Sequence, residues 1–179
     1  MRRSSAWFGQ KPTKVETMES KTPSDSKVEM TQIVLPAHTN RFGTVFGGTI
    51  MSWIDICAAV SAMRHAGNLA VTASMDELHF LSGAKLGHVV TLRSQVNFAG
   101  KTSMEIGVRV DSEDPVSGVK QHTASAYLTF VAVNEEGERQ KVPALSPQSE
   151  VEEQRQERAA VRREQRLQRK DEMLQHKTK

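Results

Sequence analysis

The sequence predicts an α+β fold in which an antiparallel sheet of five strands wraps one long central helix. Three observations predict it. After Gly47-Gly48 the segment TIMSWIDICAAVSAM repeats Ile50, Ile54, Ala58 and Ser61 at helical spacing, and apolar residues fill its other faces too. A helix that is apolar nearly all round must be covered by protein on most sides. One strand-like run precedes it and four follow, and two of those four alternate cleanly with period two: Val90, Leu92, Val96 and Phe98 share a face, as do Met104, Ile106, Val108 and Val110.

In chain order, residues 1–28 collect Ser, Lys, Thr and Pro without hydrophobic periodicity, so they are expected to be disordered. The run VEMTQIVLP reads as a first strand ending at Pro36, followed by the loop AHTNRFGTVF. The helix ends with Arg64 and His65 in its last turn and Gly67 as C-terminal cap. Strand-like runs then span 70–80, 88–98, 102–110 and 120–133. In the last, Ala124, Ala126, Leu128 and Phe130 define one face while Tyr127, Val131 and Val133 make the other partly apolar, so a partner is expected to cover it. These elements form one domain, 29–146. Residues 147–179 read as a charged helical tail opened by Ser146-Pro147 and the capping pattern Ser149-x-x-Glu152. Only Ala160, Leu167 and Leu174 repeat at seven, and Arg158, Arg162, Arg166 and Lys170 place like charges four apart, so a fraying, solvent-exposed helix is expected.

Composition removes several classes of function. The 179 residues carry a net charge of +3, distributed as +3 in 1–28, −2 in 29–146 and +2 in 147–179. The basic excess therefore lies in the ends, and the folded part has no nucleic-acid footprint. A lone Cys57 closes no intrachain disulfide, which points to a reducing compartment. The N-terminus lacks the apolar core of a secretory signal, and the low-charge run Phe42 to Met63 contains Asp55 and three glycines, so no membrane span is expected and the location is read as cytoplasmic.

The candidate chemistry gathers around the helix. Asp55 is the only formal charge between Phe42 and Met63, about two turns into the helix, where burying a carboxylate without purpose is costly. Asn40, seven residues before Gly47, offers an amide to an oxyanion or a water, and equally fits an Asx turn in HTNRFG. Gly47 and Gly48 bring unshielded N–H groups to a helix start, where developing negative charge is favoured; close packing of the loop is the alternative. GKT at 100–102 lacks the upstream glycine of a phosphate loop, since position 95 is Gln95, and reads as a hairpin turn. No G-x-S-x-G, H-E-x-x-H or G-x-G-x-x-G occurs, and the six histidines have no metal-ligand spacing, so no metal is expected. Cys57, on the same helix, reads as an inert small hydrophobe.

Taken in order, HTNRFGTVFGGTIMSWID, VTASMDELHFL, GKTSMEI and TASAYLTFVAVNEEG resemble the hotdog-fold acyl-CoA thioesterases of the cytosolic acyl-CoA hydrolase type, over about residues 29–146. The resemblance implies a sheet wrapped round a helix, homodimers that fuse two sheets, and trimers of those dimers. It implies a site at the dimer interface, pairing the loop amide of Asn40 with the helix carboxylate of Asp55 from the other subunit, and an oxyanion hole from Gly47 and Gly48. Phe46 stands where some relatives carry a histidine, so no such role transfers. Asp55 would then activate water or attack the thioester directly. Acyl-CoA is the expected substrate, with no cofactor beyond the coenzyme A it carries. Lys101, Thr102 and Ser103 suit the coenzyme's phosphates or, equally, a solvated turn. A non-catalytic acyl-CoA-binding protein using the same groove is the alternative, and a hotdog dehydratase is a weaker one, because the loop offers only His38.

Overall fold

Glycines and strand-breaking residues set the element limits in the computed structural model, which describes residues 19–176. Helix α1 spans Gly47–Ala66 and stops where Gly67 takes the left-handed conformation (φ 65°) and donates its N–H to Met63 O. Strands β1 (Val28–Ile33), β2 (Leu69–Phe80), β3 (Val89–Ala99), β4 (Ser103–Glu113) and β5 (Lys120–Val133) form one antiparallel sheet in the order β1-β3-β4-β5-β2. The arrangement is the hotdog fold expected from the sequence. Among the described residues no helix is long and apolar enough to cross a membrane.

The period-two alternation supplies the core. Leu92, Val96, Ile106, Val110, Leu128 and Phe130 are buried on the inner face against Ile50, Ile54 and Ala58 of α1. Where Ser94 interrupts that inner face, its hydroxyl donates to Cys57 O at 2.9 Å and lies 2.7 Å from Ser61 Oγ, so the polar intrusion is satisfied within the core. Burial pushes the Cys57 thiol above its ordinary pKa, in keeping with an inert residue. One side of α1 stays uncovered, with Met51 and Ile56 42% and 51% exposed, and on the edge strand β2 Leu69 and Val71 are 52% and 51% exposed.

Two expectations need correction. Within 1–28, residues 1–18 lie outside the described residues, but 19–27 are part of the fold. Ser26 Oγ accepts the N–H of Val96 at 2.9 Å and donates to Pro23 O, so it extends the pairing of β3 past the start of β1. Lys21 pairs with the segment before the second helix, through Lys21 N to Ala144 O and Ser146 N to Lys21 O, both 2.9 Å. These are backbone and hydroxyl contacts that leave no hydrophobic period to read. Ser26→Ala should strand a buried N–H and lower stability by about 1–3 kcal/mol, measured by urea unfolding.

The second concerns helix α2, Glu150–His176, which is docked on the outer face of the sheet. Two of the four like charges expected to repel along a bare face, Arg162 and Arg166, are paired with carboxylates of the sheet. Arg162 holds Glu105 of β4 with two bonds, of 2.6 and 3.1 Å, and stacks over Tyr127 with its guanidinium carbon 3.7 Å from the ring centre. Arg166 reaches Asp76 of β2 at 2.6 Å. The second face of β5, expected to need a partner, is thus covered in part by the chain's own C-terminal helix.

His65, in the last turn of α1, is fully buried, with Nε2 at 2.9 Å from Pro143 O and Nδ1 without a partner. The carbonyl can only accept, so Nε2 carries the proton and a second proton would be stranded at Nδ1. Burial accordingly lowers the His65 pKa. Below about pH 6.5 the unfolded chain takes up a proton that the folded ring refuses, so stability is lost as pH falls. His65→Gln should flatten the decline between about pH 6.5 and 5, by no more than about 1.4 kcal/mol per pH unit. Unfolding curves across that range that do not differ from wild type would refute this.

Candidate active site

Two clusters of polar groups lie along α1, at its start and two turns in. The loop before α1 is tied to the helix by Phe46 N donating to His38 O at 2.8 Å. Inside that loop Asn40 Oδ1 accepts the N–H of Phe42 at 2.9 Å, and its Nδ2 lies 3.1 Å from Thr44 Oγ1. This is the Asx-type turn that the sequence allowed. At the helix start Phe46 provides no side-chain cap, and the first N–H groups with an acceptor are those of Thr49 and Ile50, both to Phe46 O. Among the described residues, the N–H groups of Gly47 and Gly48 have no acceptor. Two open donors therefore face outward at the positive end of a 20-residue helix. Next to them Val45, Gly47, Ile50, Phe80, Leu81 and Ala84 line an apolar cavity of about 320 Å³.

Asp55 is the second cluster, and it is half-buried rather than enclosed. The carboxylate sits at the margin of α1 that β2 leaves open, where Thr72 Oγ1 donates to Asp55 Oδ1 at 2.7 Å. Thr72 is the site residue that sequence reasoning missed. It stands across from the inward-facing Phe130 at the edge of the sheet, beside a bulge in β2 between Thr72 and Ser74. A second irregularity, between Met75 and Glu77, flanks Asp76, whose carboxylate takes the hydroxyls of Ser74 and Thr129 along with Arg166.

Within one chain these clusters do not meet. Asp55 lies eight positions after Gly47 in α1, a rise of about 12 Å, and Asn40 keeps its side-chain bonds within its own loop. The Lys101–Ser103 turn joins β3 to β4 with Lys101 exposed, and its carbonyls are occupied by Val142 N and Ala132 N. The register puts Ser103 across from Val131, and Val131 across from Val71, so the turn shares an end of the sheet with Thr72 but lies two strands away. His38 is used structurally: Nδ1 accepts Leu35 N–H, and the ring packs edge-on against Trp53 at 5.1 Å. Among the described residues, no group of three or more His, Cys, Asp or Glu could hold a metal ion.

The thioesterase superfamily pattern matches residues 42–119. A Bacillus subtilis protein named as an uncharacterised acyl-CoA thioester hydrolase, YkhA, is 41% identical over 138 residues, covering 77% of this chain and 80% of the relative. Among solved structures, the Staphylococcus aureus acyl-CoA hydrolase in complex with butyryl coenzyme A, coenzyme A and coenzyme A disulfide superposes with a TM-score of 0.82 at 39% identity, covering 88% of this chain and 96% of that one. An apo-hexameric acyl-CoA thioesterase gives the same TM-score at 41% identity, over 84% and 97%. The S. aureus hydrolase has also been solved with an Asn, an Asp and a Thr each replaced by alanine, the Asp 15 positions after the Asn and the Thr 17 after the Asp. Asn40, Asp55 and Thr72 stand at the same intervals in this chain.

Proposed function

The chain belongs to the thioesterase superfamily, and from that premise we infer that it hydrolyses the thioester of acyl-coenzyme A, at sites built across two copies of the chain. The observation that carries the two-chain reading is the rise of about 12 Å between the open N–H groups and Asp55, too far for one carbonyl to use both. An antiparallel pair of α1 helices brings the start of one beside the middle of the other. The free edge of β2 and the exposed Met51, Ile56, Leu69 and Val71 provide the surface for that pairing. A homodimer then carries two sites, and three dimers make the hexamer that a solved relative forms.

In each site Gly47 and Gly48 of one copy donate to the thioester oxygen, where negative charge develops as the carbon becomes tetrahedral; losing one such donor costs about 100- to 1,000-fold in rate. Asp55 of the other copy takes a proton from the attacking water. Thr72 occupies Oδ1, which leaves Oδ2 free to act as base. The Asn40 amide orients the water or the carbonyl. The water oxygen bonds to carbon, the carbon–sulfur bond breaks, and the coenzyme thiolate leaves and takes up a proton. The apolar cavity beside Gly47 and Phe80 receives the acyl chain, and Lys101 offers a cation for the coenzyme's phosphates. The alanine variants chosen in the S. aureus hydrolase, at the intervals of Asn40, Asp55 and Thr72, support these assignments. Every step uses groups of the two chains, and coenzyme A enters as part of the substrate.

The test is release of free thiol from acyl-CoA substrates of increasing chain length, run beside size-exclusion chromatography with light scattering. Turnover should peak at one range of lengths and travel with an oligomer. Thr72→Val should lower the rate while leaving the assembly intact. Binding without thiol release at every length would identify a non-catalytic acyl-CoA binder, and a fully active monomer would overturn the two-chain site.

A further inference from the structure

A second cavity, of about 590 Å³, lies on the outer face of the sheet, the face turned away from α1 and Asp55. This is within the size range of small-molecule sites. Its floor comes from the register of three strands, which sets Gln95, Gly107 and Tyr127 in one row and Arg93, Arg109 and Ser125 in the next. The first turns of α2 form the roof through Arg155, Arg158 and Arg162, and Lys27 closes the side by β1.

Three features of the cavity need explanation together. The first is charge. Arg93 pairs with Glu29 and Asp111, Arg109 with Asp111, and Arg162 with Glu105, whereas Lys27, Arg155 and Arg158 have no carboxylate partner among the described residues. Three uncompensated cations thus share one concave space, where each raises the electrostatic cost of the others. The second is unused hydrogen-bonding capacity. Gln95 Nε2 is buried without a partner, and beside it the amide of Asn97, a residue only 5% exposed, makes no hydrogen bond among the described residues and reaches the cavity's open space. A buried donor left open, as Gln95 Nε2 is, is costly. The third is Gly107: a Cβ there would fall 2.4 Å from Asn97 Nδ2, so the glycine makes the room that the Asn97 amide occupies.

We propose that this cavity binds a small anion carrying phosphate groups, held by Lys27, Arg155 and Arg158 from the rim and roof, with the Asn97 and Gln95 amides donating to its oxygens from the floor. A phosphate takes several donors at once and suits guanidinium forks. Each phosphomonoester carries about −1.5 to −2, so two phosphate groups balance the three free cations. The phosphates can be those of coenzyme A or of a separate phosphorylated small molecule.

The probe is inorganic pyrophosphate, titrated calorimetrically into the full-length protein. Wild type should bind it saturably. The double substitution Arg155→Gln with Arg158→Gln should weaken binding about tenfold or more. Both side chains are exposed, so circular dichroism should show the helix retained. Asp55→Ala should bind pyrophosphate as wild type does, which separates this site from the hydrolytic one and keeps the result independent of whether the chain turns over acyl-CoA. Coenzyme A that competes with pyrophosphate would identify its own phosphates as the ligand, and lack of competition would identify a separate phosphorylated molecule. No binding up to about 10 mM pyrophosphate, or binding that the double substitution leaves unchanged, would overturn the proposal.

Discussion

Asp55→Ala should lower acyl-CoA turnover by about 100- to 10,000-fold, the range for losing a positioned general base, while the substrate still binds. The carboxylate is assigned to the proton of water and not to the phosphates, so the loss should appear in kcat with KM little changed. Asn40→Ala should cost less, because an amide that orients has a partial substitute in solvent. The decisive measurement mixes the two impaired proteins. In a heterodimer of Asp55→Ala with Asn40→Ala one site keeps both groups and the other has neither. A fully exchanged equal mixture should therefore recover about a quarter of wild-type activity if the twofold pairing holds. Proven subunit exchange without recovery would place the site inside one chain. A wild-type rate for Asp55→Ala would falsify the mechanism.

Arg162→Ala should be the most damaging change for stability, at about 3–5 kcal/mol, because it leaves a buried carboxylate without its counter-charge. The Glu105 side chain is 2% exposed and that of Arg162 is 13% exposed, with α2 closing over the pair. Arg162→Lys should rescue little, since an ammonium cannot reproduce the two-pronged contact or the stacking on Tyr127. Replacing both partners, as Glu105→Met with Arg162→Met, should recover most of the loss, because no charge is then stranded. Urea unfolding at one fixed protein concentration checks this through the midpoint at constant slope. A cost below about 1 kcal/mol for Arg162→Ala would mean that water reaches Glu105.

The parts of the molecule that follow one local period were legible in the sequence. The limits of α1, its Gly67 cap and the inner face of β4 follow from spacing alone, and so does the prominence of Asp55, whereas on β3 a shift after Val96 sets Phe98 across from Glu105 on the outer side, against the expected face. Contacts between distant residues were not legible. Thr72 reaches Asp55 because it stands across from the inward-facing Phe130 at the edge of the sheet, a pairing that no local period of β2 displays. The tail was misread for a related reason. A row of arginines four apart reads as mutual repulsion until Glu105 and Asp76 are known to stand opposite two of them. Residues 19–27 were set aside because Ser26 and Lys21 hold their place by hydrogen bonds to the main chain, which composition does not register.

The polar docking of α2 bears on how such an extension can be gained or shed. The surface beneath it presents Glu105, Asp76 and Thr129 together with the ring faces of Tyr127 and Phe98, each under an arginine, and no aliphatic patch. If the whole helix were cut away, these groups would return to water and find new partners there, unlike the single stranded carboxylate left by Arg162→Ala. The central sheet would keep a wettable outer wall and would not become adhesive. A segment fastened in this way behaves as a detachable module: a lineage can append it to an existing domain, or discard it, without redesigning the hydrophobic interior.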